Sequence, residues 1–187
     1  MVYIEDHIND FDLDAALLEI SEERREQALR FKHELGRRQC VLAYLLLKRA
    51  LSEEYGITEN PVFVYGEHGK PLLADYPDIH FNLSHCHEAV VCAVSDRPVG
   101  IDVESIRRYR ESLVRFTMSE EEQQAIFEAD DPALMFTRLW TMKEARLKLS
   151  GEGIGHNMAT VLNDATVGFE TVVSADRRYV YSVASWL

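Results

Sequence analysis

The sequence predicts an α+β fold made of two similar halves. Three observations point there. Apolar residues recur with helical spacing, then with strand-like alternation, then helical and strand-like again along the chain. The strand-like runs are short and bounded by Gly, Pro, Asn and Asp. Helix starts with side-chain caps open both helical regions, at Ser21 and again at Ser119 and Asp131. No residue-level repeat accompanies the two-half pattern.

The first helical region is "ISEERREQALRFKHELGRRQCVLAYLLLKRALSEEYG", with Ser21 as N-cap and Gly56 as stop. Gly36 is expected to divide it into two helices. Val41, Leu42, Leu45, Leu46 and Ala50 form the apolar stripe of the second. "PVFVYGEHGKPLL" reads as a hairpin around a glycine-rich turn. "IHFNLSH", "AVVCAVS" and "VGIDVE" read as three successive strands, the last two separated by Asp96, Arg97 and Pro98. Ser119 with Glu122 makes a capping box. Asp131 followed by Pro132 starts a further helix that runs to about Ser150 and stops at Gly151. "TVGFETVVS" and "RRYVYSVASWL" close the chain as strands.

The 187 residues suit one domain or two small lobes sharing a core, and 47% hydrophobic content is that of a folded chain. No run approaches the ~18 apolar residues of a membrane span. The start, "MVYIEDHIND", has neither the basic nor the apolar region of a signal peptide. Cys40, Cys86 and Cys92 have no paired spacing, which supports neither a disulfide framework nor a zinc site. A cytoplasmic protein with reduced thiols is expected. The net charge of −12 argues against nucleic-acid binding, which depends on neutralising phosphates. The charge is uneven: residues 24–49 carry eight bases against Glu26 and Glu34. Such a segment is either a local anion site or a solvated helix face.

"VGIDVES" places Asp102 and Glu104 two apart in a strand, so both carboxylates face one side. Like charges that close repel unless a cation lies between them. In "ALMFTRLWTMKEARLKLSG", Trp140, Glu144 and Lys148 share one helix face, with Lys143 one position aside. The pair is either a surface ion pair or part of a site, and charge on a helix that packs against a sheet sets the two readings level. Three carboxylates from Asp102, Glu104 and Glu144 suit Mg²⁺, which keeps other positions for water and phosphate oxygens. "NLSHCHEA" leaves other options open. Ser84 and His85 are adjacent in a strand and face opposite sides, so they are not a nucleophile–base pair. His85 and His87 could take a transition metal, and a strand-end Ser and His could take a phosphate. Lys70 is either a turn lysine or a phosphate contact.

Together, "GKP" (69–71), "FNLSH" (81–85), "GIDVE" (100–104), "RFTMSEEE" (115–122) and "WTMKEARLK" (140–148) resemble the surfactin-type 4′-phosphopantetheinyl transferases. The resemblance runs from about Ile20 to Ile154. It implies two pseudo-twofold-related α/β lobes, residues 1–104 and 105–187, with the cofactor between them. It implies transfer of the phosphopantetheine arm of coenzyme A to a serine of an apo acyl or peptidyl carrier protein, releasing adenosine 3′,5′-bisphosphate. In that frame Asp102, Glu104 and Glu144 hold Mg²⁺, or Mn²⁺, on the pyrophosphate. Glu144 is the base for the serine hydroxyl and Lys148 stabilises the leaving group, with Lys143 nearby. Arg24, Lys70, Ser84 and His85 fall where the family contacts coenzyme A phosphates. Gln27, Gln39 and Cys40 stand where the family often carries Lys, Arg or Thr, with Arg37 and Arg38 as substitutes. A monomer is expected.

Two rival functions remain at this stage: another metal-dependent phosphotransferase or pyrophosphate hydrolase, and a non-catalytic carrier-binding module. The segment "SIRRYRESLVRF" (105–116) gathers Arg107, Arg108, Arg110 and Arg115 with interleaved apolar residues. It is either a docking patch for an acidic carrier or a solvated linker.

Overall fold

The structure, a computed structural model, describes residues 1–66, 68–151 and 158–187. Glu67 of the expected hairpin turn and Ile154, the expected limit of the family resemblance, lie outside the described residues. In chain order the elements are β1 (Val2–Glu5), α1 (Leu13–Glu19), α2 (Glu22–Leu29) and α3 (Glu34–Tyr55). They continue with β2 (Phe63–Tyr65), β3 (Pro71–Leu73), β4 (His80–His85), β5 (Val90–Ser95) and β6 (Val99–Ser105). Then come α4 (Glu111–Thr117), α5 (Glu120–Phe127), α6 (Pro132–Ser150), a 3₁₀ helix (Met158–Asn163), β7 (Val167–Val173) and β8 (Tyr179–Trp186).

Each half is a three-stranded antiparallel sheet covered by one long helix. The first sheet has the order β1-β5-β4 and the second β6-β8-β7, with β2 and β3 forming a separate hairpin. On the first sheet, Leu42, Leu46, Leu47, Ala50 and Leu51 of α3 pack on Phe81, Val90, Cys92 and Val94. On the second, Ala145 and Leu149 of α6 pack on Val167 and Ala184. Strand β5 is buried on both faces, which is why its sequence is an unbroken apolar run. Its alternate residues, Val91 and Ala93, meet Val99, Ile101 and Val103 of β6 in a core between the sheets.

That alternation fixes the other face of β6. With Val99, Ile101 and Val103 committed to the inter-sheet core, Gly100, Asp102 and Glu104 face α6. The contact is close: a Cβ on Gly100 would lie 2.1 Å from the Ala145 carbonyl oxygen and 2.5 Å from the Leu149 nitrogen. Only glycine lets the helix rest on the strand there.

The caps follow the sequence. Ser119 and Glu122 form the capping box of α5, Asp131 caps α6, and Gly56 and Gly151 end α3 and α6 in the left-handed conformation. One expectation is corrected. The break between the first helices lies between α2 and α3 and not at Gly36, which sits in the first turn of α3 beneath the Phe31 ring. The three successive strands are divided between the two sheets. β6 pairs with β8, and its approach to β4 is bridged by side chains: the Ile101 N–H donates to Asn82 Oδ1 (2.8 Å) and the Val103 N–H to Ser84 Oγ (3.3 Å). The sequence reading also passed over β1, α1, α4 and the 3₁₀ helix.

Candidate active site

The acids of β6 and the charged face of α6 meet. Helix and strand run past each other so that Trp140 lies beside Glu104 while Lys148 reaches Asp102. Asp102 is only 4% exposed. Its Oδ1 accepts from Lys148 Nζ (2.6 Å) and Ser84 Oγ (2.8 Å), and Lys148 Nζ also donates to Ser84 Oγ (2.9 Å). Its Oδ2 is buried and has no hydrogen-bond partner. A buried carboxylate oxygen left bare costs about 1–3 kcal/mol or more, so the site is built for a further cation or donor.

The neighbouring acids show the same need. Burial, and then the Asp102 charge, push Glu144 above the usual carboxylate range, against the pull of Lys148. Burial and Asp102 likewise raise Glu104, opposed by Arg107, Trp140 and Lys148. Among the described residues, the only trio of ligand-type atoms drawn within 4.8 Å is Glu5, Asp6 and His7, near the N-terminus. Asp102, Glu104 and Glu144 stand more open than that, as mutually repelling carboxylates do. Hard oxygen donors, one of them bare and two held toward protonation, fit a divalent cation.

The other expected residues divide. His85 ends β4 within the field of both Lys148 and Asp102; burial and Lys148 push its imidazole below the usual range, against Asp102. Ser84 belongs to the acid group through its bonds to Asp102 and Lys148. Lys70, Glu144 and Lys148 line one cavity of about 300 Å³ with His68 and Asn82. The Lys70 ammonium, however, is bonded to main-chain carbonyls, at 2.6 Å to Lys148, 3.2 Å to Leu149 and 3.4 Å to Val99.

Two expected residues are not brought to the group. Lys143 is fully buried and turns to the far side of α6, where it pairs with Glu122 (2.8 Å) and donates to the Met158 carbonyl (2.6 Å). One residue from Glu144 is about 100° of helix rotation, enough to point it at α5. Arg24 lies over the Tyr44 and Phe63 rings and bonds Gln27, in a separate cleft with Ser21 and Tyr65. Arg37 and Arg38 bond the Phe31 and Phe11 carbonyls, and Gln39 bonds the Cys86 carbonyl.

Asn82 is the residue whose role went unassigned. It shares a strand face with Ser84, two residues away, and both accept amide protons of β6. That i, i+2 spacing of two short polar side chains was the available signal.

A second cavity, of about 580 Å³, opens on the other side of Glu104. Its floor is a run of rings, Tyr109–Phe136 (5.0 Å between centroids) and Phe136–Trp140 (5.9 Å). Its rim carries Arg107, Arg108 and Arg110, with Phe116 82% exposed at the edge. The acid group thus lies between a lysine-lined cavity and an arginine-rimmed one. Such a site can gather phosphate oxygens over a metal while a second reactant approaches from the side.

Comparison with known proteins matches residues 98–183 to the family model described as the 4′-phosphopantetheinyl transferase superfamily. The 4′-phosphopantetheinyl transferase of Bacillus subtilis is 30% identical over 156 residues, 82% of this chain and 70% of that protein. This chain belongs to the 4′-phosphopantetheinyl transferase superfamily. Two further relatives place it near the surfactin-type branch of that superfamily. The 4′-phosphopantetheinyl transferase psf-1 of Bacillus pumilus is 36% identical over 144 residues, 75% of this chain. The 4′-phosphopantetheinyl transferase Sfp of Bacillus subtilis strain 168 is 33% identical over 138 residues, 72% of this chain. The match spans 62% of the length of each of those two relatives. The superfamily match contains the whole of β6 and α6, and so all three acids and Lys148. Among the described residues no helix is long and apolar enough to cross a membrane.

Proposed function

We propose that this protein transfers the 4′-phosphopantetheine arm of coenzyme A to a serine of an apo acyl or peptidyl carrier protein. The observation that carries the reading is the bare, buried Asp102 Oδ2 beside Glu144 and Lys148, in a chain of this superfamily. Asp102, Glu104 and Glu144 would hold Mg²⁺ or Mn²⁺. Bound there, the metal supplies charge neutralisation to the pyrophosphate of coenzyme A.

The chain's own groups do the rest. Glu144, held toward protonation by burial and Asp102, is suited to accept the serine proton, a role worth typically ~10²–10⁴-fold. The serine oxygen bonds to the phosphorus bearing pantetheine, and the bond from that phosphorus to the bridging pyrophosphate oxygen breaks. Adenosine 3′,5′-bisphosphate leaves with the electron pair, and Lys148 stabilises the charge that collects on it. Ser84 and His85 offer polar groups to the coenzyme A phosphates. In this reading the lobe of residues 1–104 brings the first two acids, and that of 105–187 brings Glu144, Lys148 and the carrier surface.

The carrier docks on the arginine-rimmed cavity, with Arg107, Arg108 and Arg110 meeting acidic side chains and Leu113 and Phe116 meeting apolar ones. The incoming serine would then approach the acids from the cavity that Glu104 lines. The reading carries with it a monomer working in the cytoplasm, with no nucleic-acid or membrane partner.

Mass spectrometry tests it. The protein is mixed with Mg²⁺, coenzyme A and apo carriers of fatty-acid, polyketide and peptide synthesis. A phosphopantetheine adduct on a carrier serine, lost in EDTA, is expected. Cleavage of coenzyme A without acceptor would favour a hydrolase instead, and metal-dependent binding without transfer a non-catalytic module.

A further inference from the structure

The superfamily resemblance makes Lys70 a ligand for coenzyme A phosphate, but its geometry points elsewhere. Lys70 leaves the β2–β3 hairpin and places Nζ at the C-terminus of α6. There it donates to the carbonyls of Lys148 (2.6 Å) and Leu149 (3.2 Å), and at the longer distance of 3.4 Å to that of Val99, the first residue of β6. The last carbonyls of a helix have no intrahelical donors and carry the negative end of its dipole. The left-handed turn at Gly151 satisfies the Leu147 carbonyl through the Gly151 N–H (3.0 Å). The next two carbonyls are those Lys70 covers.

We propose that Lys70 is a positioning residue for the active site and not a coenzyme A ligand. This rests on the transferase reading above. Its ammonium ties the end of α6, which carries Glu144 and Lys148, to the start of β6, which carries Asp102 and Glu104. It reaches both from a hairpin that belongs to neither sheet. The tie lies next to the Gly100 contact, where the strand and helix backbones touch and neither can slide without the other. Lys148 is itself one of the residues whose carbonyl is held, so its main chain is pinned while its Nζ spans to Asp102 and Ser84. The three main-chain acceptors and the half-buried stem leave the ammonium little freedom to turn to a phosphate. Partial burial lowers its pKa.

A positioning residue and a phosphate ligand give opposite kinetic signatures. Lys70→Met should lower kcat by about tenfold, since displacements near 1 Å can cost up to ~10²-fold, while the KM for coenzyme A changes little. The defect should be equal for coenzyme A and 3′-dephospho-coenzyme A. Lys70→Arg, which keeps the charge and donors, should recover most of kcat. Amide exchange of Gly151 should accelerate in Lys70→Met with no substrate present, a readout that does not depend on the transferase reading. A raised KM with unchanged kcat, or a defect that vanishes without the 3′-phosphate, would overturn the proposal. So would unaltered exchange at Gly151. Should Lys70→Met fail to fold, ¹³Cε lysine signals of the wild-type protein decide it. Addition of coenzyme A should move the Lys148 signal and leave that of Lys70 in place; a Lys70 shift as large as that of Lys148 overturns the proposal.

Discussion

Gly100→Ala is the sharpest test of how this site is held. The added Cβ would sit 2.1 Å from the Ala145 carbonyl oxygen and 2.5 Å from the Leu149 nitrogen. An unstrained carbon–oxygen contact is ~3.3 Å, so α6 must retreat from β6 by about 1 Å. Both opposing atoms are helix backbone, and no rotamer change relieves them. Overpacking of this kind costs ~1–3 kcal/mol, and a rigid neighbour places it near ~3 kcal/mol. In a chain of this size that lowers Tm by roughly 6–12 °C. Gly100 does not have a positive φ, so alanine introduces no backbone strain of its own. The same retreat carries Glu144 and Lys148 away from Asp102 and should cost about 10²-fold in kcat. Gly168→Ala is the control: its Cβ would meet the Leu187 side chain at 2.8 Å, but Leu187 is 87% exposed and can swing aside. Thermal melting and carrier modification followed by mass spectrometry read both effects. A Gly100→Ala protein that melts and turns over like the parent would refute the direct seating of α6 on β6.

Three further outcomes follow from the same geometry. Asp102→Ala should abolish metal-dependent coenzyme A binding measured by calorimetry, while Glu144→Gln should abolish turnover and keep part of the binding; full activity of either, or of the parent in EDTA, contradicts the site. Burial and the Asp102 charge hold Glu104 and Glu144 above the ordinary glutamate value of 4.5, so the folded state binds their protons more tightly than the unfolded state does. The metal-free protein therefore loses stability as pH rises through the window from 4.5 up to those raised values, and Mg²⁺, competing with the protons, should raise Tm more at about pH 8 than at about pH 5. A Tm gain independent of pH would count against Mg²⁺ at these acids. Replacing Arg107, Arg108 and Arg110 with Glu should raise the carrier KM strongly and leave that for coenzyme A nearly unchanged, and the parent's carrier KM should rise with salt. Unchanged carrier kinetics would put the docking surface elsewhere.

How much of this was legible in the sequence depends on the range of the interaction. The i, i+2 acids of β6, the Glu144–Lys148 face of α6, the capping box and the glycine stops are local patterns, and the structure has each of them. Lys143 shows where local reading ends. Its neighbour Glu144 marks a functional helix, yet what Lys143 does is decided by Glu122, which no spacing rule connects to it. The division of the strands between two sheets is out of local reach for a similar reason. β5 is apolar on both faces and needs a second layer, which β6 supplies from the second sheet. Lys70 was legible only as a turn lysine or a phosphate contact, because its acceptors are main-chain carbonyls and no sequence displays them.

The seam between β4 and β6 is made of side chains that also serve the charged site. Asp102, Glu104 and Glu144 bring three negative charges and Lys148 returns one, leaving two for a divalent cation. Beyond its pairing with β8, β6 is held to β4 by groups that also serve the acids. Ser84 Oγ accepts the Val103 amide and the Lys148 ammonium while donating to Asp102. Asn82 accepts the Ile101 amide one pleat away and faces the lysine-lined cavity. Two backbone carbonyls could hold β6 equally well but could donate nothing to a carboxylate. Polar side chains at 82 and 84 join the halves and dress the site at once, so a change at Ser84 should disturb sheet pairing and metal binding together.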